Sequence, residues 1–381
     1  MARLIPMEDF FRNPEQAAVK ISPSGEYLSW MQPWQNRMNV YVKNLQTGEV
    51  KRVTEATLRG VYGYFWSGKD TLVYIMDKGG DENTRLYGVN WDGSMPVEFT
   101  PFENVKCGIV DDLEDDDEHI LFSMNKRNPE VFDVFRLNVL TGEFTQIAEN
   151  PGNVVGWLTD HDGKLRLAYT SDGANIAILY RETEAEPWQE IACYDFRETA
   201  SPLLFTSDNK TFYVTSRLGR DKAAIYEFDL QTRQPGKLIY EHPEVDVETL
   251  LYSRKRKTIS GVYYYTEKGH YDRLDDFRQK IQDFVEKQLP GYDNTVSSVS
   301  KDESKFIIIS RSDRNIGTYY LLDVPTWNLT KLFDIAPWLK EHELAEMKPI
   351  EYTSRDGLKI KGYLTLPLGV EPKNLPVVIN P

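Results

Sequence analysis

A hydrolytic serine needs a base within hydrogen-bond reach of its hydroxyl and a third group that orients the base. The five histidines of this sequence, His119, His161, His242, His270 and His342, are scattered along the chain, and no Gly-x-Ser-x-Gly nucleophile elbow occurs in its 381 residues. The expectation is a chain with no catalytic residue of its own. His342-Glu343-Leu344-Ala345-Glu346 opens like a zinc-binding helix but carries Glu346 where the second imidazole belongs, so no metal site is expected there. Residues 111–118 hold seven carboxylates in eight positions, yet lack the glycine of a calcium loop of the EF-hand type. They read as a solvated turn. Paired carboxylates for glycoside cleavage need a defined separation, which no pattern here supplies. No cofactor motif is present, and none is expected to bind.

Charge narrows the partners. The net charge of −14 argues against a nucleic-acid backbone, and Arg254-Lys255-Arg256-Lys257 is too short to act as a basic patch. Cys107 and Cys193 stand far apart without metal-type spacing and read as two buried, reduced thiols. No run approaches the apolar length of a membrane span, and residues 1–11 contain no apolar leader core, so a cytoplasmic location is expected.

What must position any functional group is a repeat. A small polar turn followed by an apolar strand begins at positions 22, 67, 114, 160, 207, 253 and 300, with successive spacings of 45 to 47 residues. Ser22-Pro23-Ser24-Gly25 before Tyr27-Leu28 and Ser300-Lys301-Asp302-Glu303 before Phe306-Ile307 are its first and last members. A second mark recurs later in each period: Asn44-Leu45-Gln46-Thr47-Gly48-Glu49 and Asn138-Val139-Leu140-Thr141-Gly142-Glu143 are near copies, and Asp229 and Asp323 open worn ones. Both marks count seven units. Each unit holds three or four short apolar runs separated by Gly, Asp, Asn or Pro, the size and chemistry of one four-stranded propeller blade. An open solenoid would have shorter repeats, and paired sandwiches would lack the strict period. The fold expected is all-β, a seven-bladed β-propeller over 18–338, preceded by an N-terminal segment, 1–17.

One unit departs from this pattern. Over 271–289 the residues Leu274, Phe277, Ile281, Phe284 and Val285 fall at helical spacing and end at Pro290-Gly291, which predicts a helical insertion in blade six. It could pack on the rim or cover a partner or the pore mouth. After the repeat, 338–347 reads as a helical link, 348–353 and 359–366 as strands around the turn Ser354-Arg355-Asp356-Gly357, and Val377-Val378-Ile379 as a strand buried on both faces. A buried-type strand with nothing after it exposes apolar surface and unpaired backbone. The expectation is that 347–381 form the first strands of a truncated α/β domain.

Tyr352-Thr353-Ser354-Arg355-Asp356-Gly357-Leu358 followed by Gly362-Tyr363-Leu364-Thr365-Leu366-Pro367, after seven such units, resembles the prolyl oligopeptidase family of serine peptidases, in its acylaminoacyl-peptidase and dipeptidyl-aminopeptidase-like branch. Gly79-Gly80-Asp81-Glu82-Asn83, Asn125-Lys126-Arg127-Asn128-Pro129 with Phe132-Asp133, Asn150-Pro151-Gly152 and the opening Met7-Glu8-Asp9-Phe10-Phe11 support the resemblance. It implies a propeller seated on an α/β-hydrolase domain, restricting entry to short peptides. It also implies that the triad lies outside this chain, since the strand resembling 376–381 runs in that family into a His-Gly-Gly oxyanion loop. The resemblance implies short or N-terminally blocked peptides as substrates, and a chain inactive by itself. The rival reading is a free-standing propeller that serves as a protein-interaction scaffold.

Overall fold

The computed structural model describes residues 4–380; Met1–Arg3 of the N-terminal segment and the terminal Pro381 lie outside the described residues. Seven antiparallel meanders follow one another along the chain, at 17–52, 63–98, 107–148, 154–195, 200–240, 247–273 and 293–334. Six have four strands and the sixth has three. First strands of neighbouring blades touch (Cys107–Asp111 with Val154–Thr159, Val154–Thr159 with Ala200–Phe205, and Ala17–Ile21 with Asp293–Val299), so they stand innermost around the axis. The chain is a seven-bladed β-propeller.

Position within a blade decides each strand's composition. Second strands are covered on both faces by adjacent blades and read as largely apolar runs: Tyr27–Met31, broken only by Ser29, and Leu72–Tyr74 and Phe306–Ile309 are buried throughout. Outer strands such as Val50–Arg52 and Gln234–Tyr240 are half-buried or exposed. Cys193 sits on one of these outer strands, Gln189–Asp195, and is exposed, whereas Cys107 is buried on an inner one; only one of the two expected buried thiols is found.

The two sequence marks are turns whose side chains do the work of backbone partners. Asn44 Oδ1 accepts from the amides of Gln46 and Thr47, both at 2.9 Å, and Asn138 Oδ1 accepts from Leu140 and Thr141 at 2.9 and 3.0 Å. Gly48 and Gly142 follow at φ +77°, where any Cβ is strained. In the first mark, Ser22 and Ser300 hydroxyls accept from the amides of Tyr27 and Lys305, each at 3.0 Å.

Blade six differs from the expected insertion. Gly269–Arg273 is its third strand, so Tyr271 is not helical, and the helix Asp276–Gln288 follows where a fourth strand would run. Asp275 caps it, accepting from the amides of Phe277 and Arg278 at 3.0 and 3.1 Å. Ile281 and Val285 are buried against Phe306, Ile308 and Leu322 of blade seven. The helix fills the outer gap between blades six and seven, which is the rim-packing outcome.

Two further expectations are corrected after the ring. The link 338–347 holds only one 3-10 turn, Glu341–Glu343, because the Glu341 carboxylate is drawn away to the Tyr292 hydroxyl (2.9 Å) and the Asn315 amide (2.9 Å). Met347–Thr353 and Lys359–Thr365 form the expected hairpin, but 377–379 is not a strand; Val377, Val378 and Ile379 are 80, 94 and 82% exposed, with no sheet edge beside them to complete a ladder.

Candidate functional site

Alternating strand direction sorts the loops of a meander onto two faces. First-to-second and third-to-fourth turns open on one end of the ring, hereafter the turn face. Second-to-third turns and blade-to-blade links open on the other, the link face. Both sequence marks lie on the turn face. The chain enters blade one and leaves blade seven on the link face.

The link face carries every segment outside the ring. Trp338 Nε1 donates to the Asp9 carbonyl at 2.8 Å and Arg12 lies 3.9 Å over the Trp338 ring, which ties the short helix Glu8–Phe11 to the link after blade seven. Polar contacts hold the hairpin, among them the Met347 amide donating to Asp313 Oδ2 at 2.6 Å, Lys361 Nζ meeting Glu244 at 3.3 Å, and the Tyr363 hydroxyl donating to the Glu267 carbonyl. Beneath it, His242 and His270 lie against the Tyr264 ring at 4.5 and 5.5 Å, and Tyr264 donates to Asp272 at 3.1 Å. Burial, then Asp272, pushes the Tyr264 phenol up.

The three loop motifs of the family resemblance also converge on the link face, where each braces a loop. Arg127 makes a fork to Asp133 (2.8 and 2.9 Å) and donates to the Asn150 carbonyl at 2.8 Å, while the Asn150 amide donates to Asp133 at 2.8 Å. Asn150 Oδ1 accepts from Gly152 and Val154. Asp81 accepts from Lys78, Asn83 and Arg85. In each case the side chains satisfy groups of their own and the neighbouring loop.

Apart from His242 and His270, which share the Tyr264 ring, the histidines have separate surroundings. His119 Nδ1 sits 3.1 Å from Asp116, the base-and-orienter half of a relay, but its other nitrogen faces Asn138 at 3.4 Å and no serine. His161 Nε2 faces the Phe205 carbonyl at 2.9 Å, and its ring stacks on Tyr252. Among the described residues, no three His, Cys, Asp or Glu side chains stand close enough to share a metal ion. The structure does bring together two groups that sequence reasoning kept apart. The acidic turn 111–118 meets Arg254 of the basic tetrapeptide, through Glu114 at 2.9 Å. Nothing in the local pattern signals this pairing, which needs the ring to close.

A seven-bladed ring of meanders with a two-stranded hairpin on its link face defines a propeller of the prolyl oligopeptidase type. The solved structures agree: a prolyl endopeptidase matches over 95% of this chain and 55% of its own with a TM-score of 0.66 at 11% identity, and a puromycin hydrolase over 96% and 61% with a TM-score of 0.60 at 14% identity. In sequence, the chain is 30% identical to dipeptidyl aminopeptidase BIII of Pseudoxanthomonas mexicana over 97% of its length, and 26% identical to dipeptidyl peptidase family member 6 of Caenorhabditis elegans over 96%. No family model matches. In sequence the chain is similar to dipeptidyl aminopeptidases, and its fold is that of the propeller portion of the prolyl oligopeptidase type. It spans about half the length of these curated relatives, 54% and 52%.

Proposed function

We propose that this chain is the substrate-gating propeller of a serine peptidase that acts on short peptides, with the catalytic triad carried outside residues 1–381. The observation that carries the reading is the hairpin. It is anchored to the link face by polar contacts, while Tyr352, Leu358, Tyr363 and Leu364 are 42 to 61% exposed, and Leu366 just after it is 41% exposed. A two-stranded hairpin does not stabilise itself in water, and such surface is suited to cover by a further domain. In this reading 347–381 supply the first strands of an α/β-hydrolase domain that closes over the link face, and the ring limits what reaches it by size. The names of the curated relatives favour the dipeptidyl over the acylaminoacyl variant. Nothing in the structure favours the free-standing scaffold.

The experiment is activity-based labelling. A fluorophosphonate should label the full-length gene product on a serine outside residues 1–381, and that product should release chromophore from dipeptide anilides. Residues 1–381 alone should do neither. Stoichiometric labelling of residues 1–381, or a full-length product inert to both reagents, overturns the reading.

A further inference from the structure

We propose that the acidic turn of blade three, residues 111–118, is a charge-operated tie across the ring that pins the seam between the first and last blades. Each sheet is built from one contiguous stretch of chain, so no strand is shared between blade one and blade seven. Hydrogen bonds that cross that seam include the Ala18 amide to the Tyr319 hydroxyl at 3.2 Å, the Ile21 amide to Ser298 Oγ at 3.2 Å, the Lys301 amide to the Pro23 carbonyl at 2.9 Å and, at its edge, the Glu15 amide to the Ile335 carbonyl at 2.9 Å. An apolar cluster joining Val19, Ile21 and Trp30 to Ile307, Ile309 and Tyr319 completes it.

In a ring of seven, blade three stands opposite the junction of blades six and seven. Its first-to-second turn, between Cys107–Asp111 and His119–Asn128, is the longest of the seven, and it crosses to the far side. Arg254 of blade six lies 2.9 Å from Glu114 and 3.8 Å from Asp115; Lys301 of blade seven lies 3.6 Å from Asp117 and 4.0 Å from Asp115. The turn leans on its own neighbours as well. A Cβ on Gly68 of blade two would sit 2.3 Å from the Asp117 carbonyl oxygen, and the buried Leu113 packs against Gly163 of blade four.

The turn cannot hold this pose on its own charges. Burial, then Glu114 and Asp111, push the Asp112 carboxyl up to about 6, whereas Arg254 opposes the shift. Burial lowers the pKa of Lys20 on blade one, and the charge of Asp112 acts in the opposite sense. Cations of blades one, six and seven therefore compensate a crowd of carboxylates from blade three. Lys301 joins the two systems, since its amide bonds blade one and its ammonium faces blade three. The paired side chains are between one third and three fifths exposed, so each pair is weak and salt-screened, and the tie acts through their sum.

Hydrogen exchange read by mass spectrometry tests the tie. In Glu114→Gln/Asp115→Asn/Asp117→Asn, amides of the seam strand Ala17–Ile21 and of Lys301 should exchange faster by about three- to tenfold, while the blade-five strand Ala200–Phe205 should not change. Moving the wild type from low salt to about 1 M salt should reproduce the effect. The charge swap Glu114→Arg/Arg254→Glu should restore protection relative to Arg254→Glu alone. Seam exchange unaffected by both salt and neutralisation, or acceleration spread equally over all blades, overturns the proposal. The salt series on the wild type decides the matter even if a variant fails to fold. The inference goes beyond the peptidase reading and uses no peptide, so its failure leaves that reading intact.

Discussion

Asp133 illustrates what single residues contribute on the link face. Its side chain is 1% exposed and accepts two bonds from Arg127 and one from the Asn150 amide, so it orders two loops at once. Hydrogen bonding to Arg127 is the largest influence on its carboxyl, which is held below the usual carboxylate range. Asp133→Ala leaves a buried amide and a guanidinium without their acceptor and should destabilise the chain by about 2 kcal/mol in urea titrations at neutral pH. A depressed folded-state pKa means the carboxylate stabilises above its unfolded value and loses that effect as pH falls through the folded one. The gap between wild type and variant should therefore narrow below about pH 4. A gap independent of pH would place the effect in packing rather than in charge. The identities of Arg127, Asp133 and Asn150 were legible in the sequence as a family signature. That they form one network was not, because Asn150 lies on the link to the next blade and meets the hairpin of Arg127 and Asp133 only through the blade geometry.

At the scale of elements, the helix Asp276–Gln288 shows a pattern read correctly in kind and displaced in extent. Apolar spacing extends back to Leu274, yet the chain is still leaving the strand Gly269–Arg273 there, and Asp275 sets the true start. That cap is doubly committed, since Arg256 Nη2 donates to its other oxygen at 2.9 Å. Asp275→Ala should cost about 1–2 kcal/mol by denaturant titration, and Asp276→Ala, one position on, markedly less. Equal effects at both positions would mean that the cap is not what starts the helix. The link after blade seven went the other way. Its residues favour a helix, but Glu341 finds better partners in Tyr292 and Asn315, and tertiary contact outweighs local preference.

For the whole molecule, burial divides the chain into a packed ring and a thinly held appendage. The hairpin residues are mostly exposed, whereas the second strands of the blades are buried by their neighbours. Limited trypsin digestion should cut first within 348–373, at Arg355 and the surrounding lysines, and leave a resistant ring fragment. Early cuts within blades would contradict this division. The seven blades and their turns were determined by the sequence itself, because each blade is local: its strands pair with sequence neighbours and its turns are satisfied by their own Asn, Asp and Ser side chains. Only the tertiary structure decided what happens across the ring. The acidic turn of blade three and the cations of blades six and seven are separated by more than a hundred residues and carry no periodic signal, and closure of the circle is what turns an apparently solvated loop into a partner for the far side.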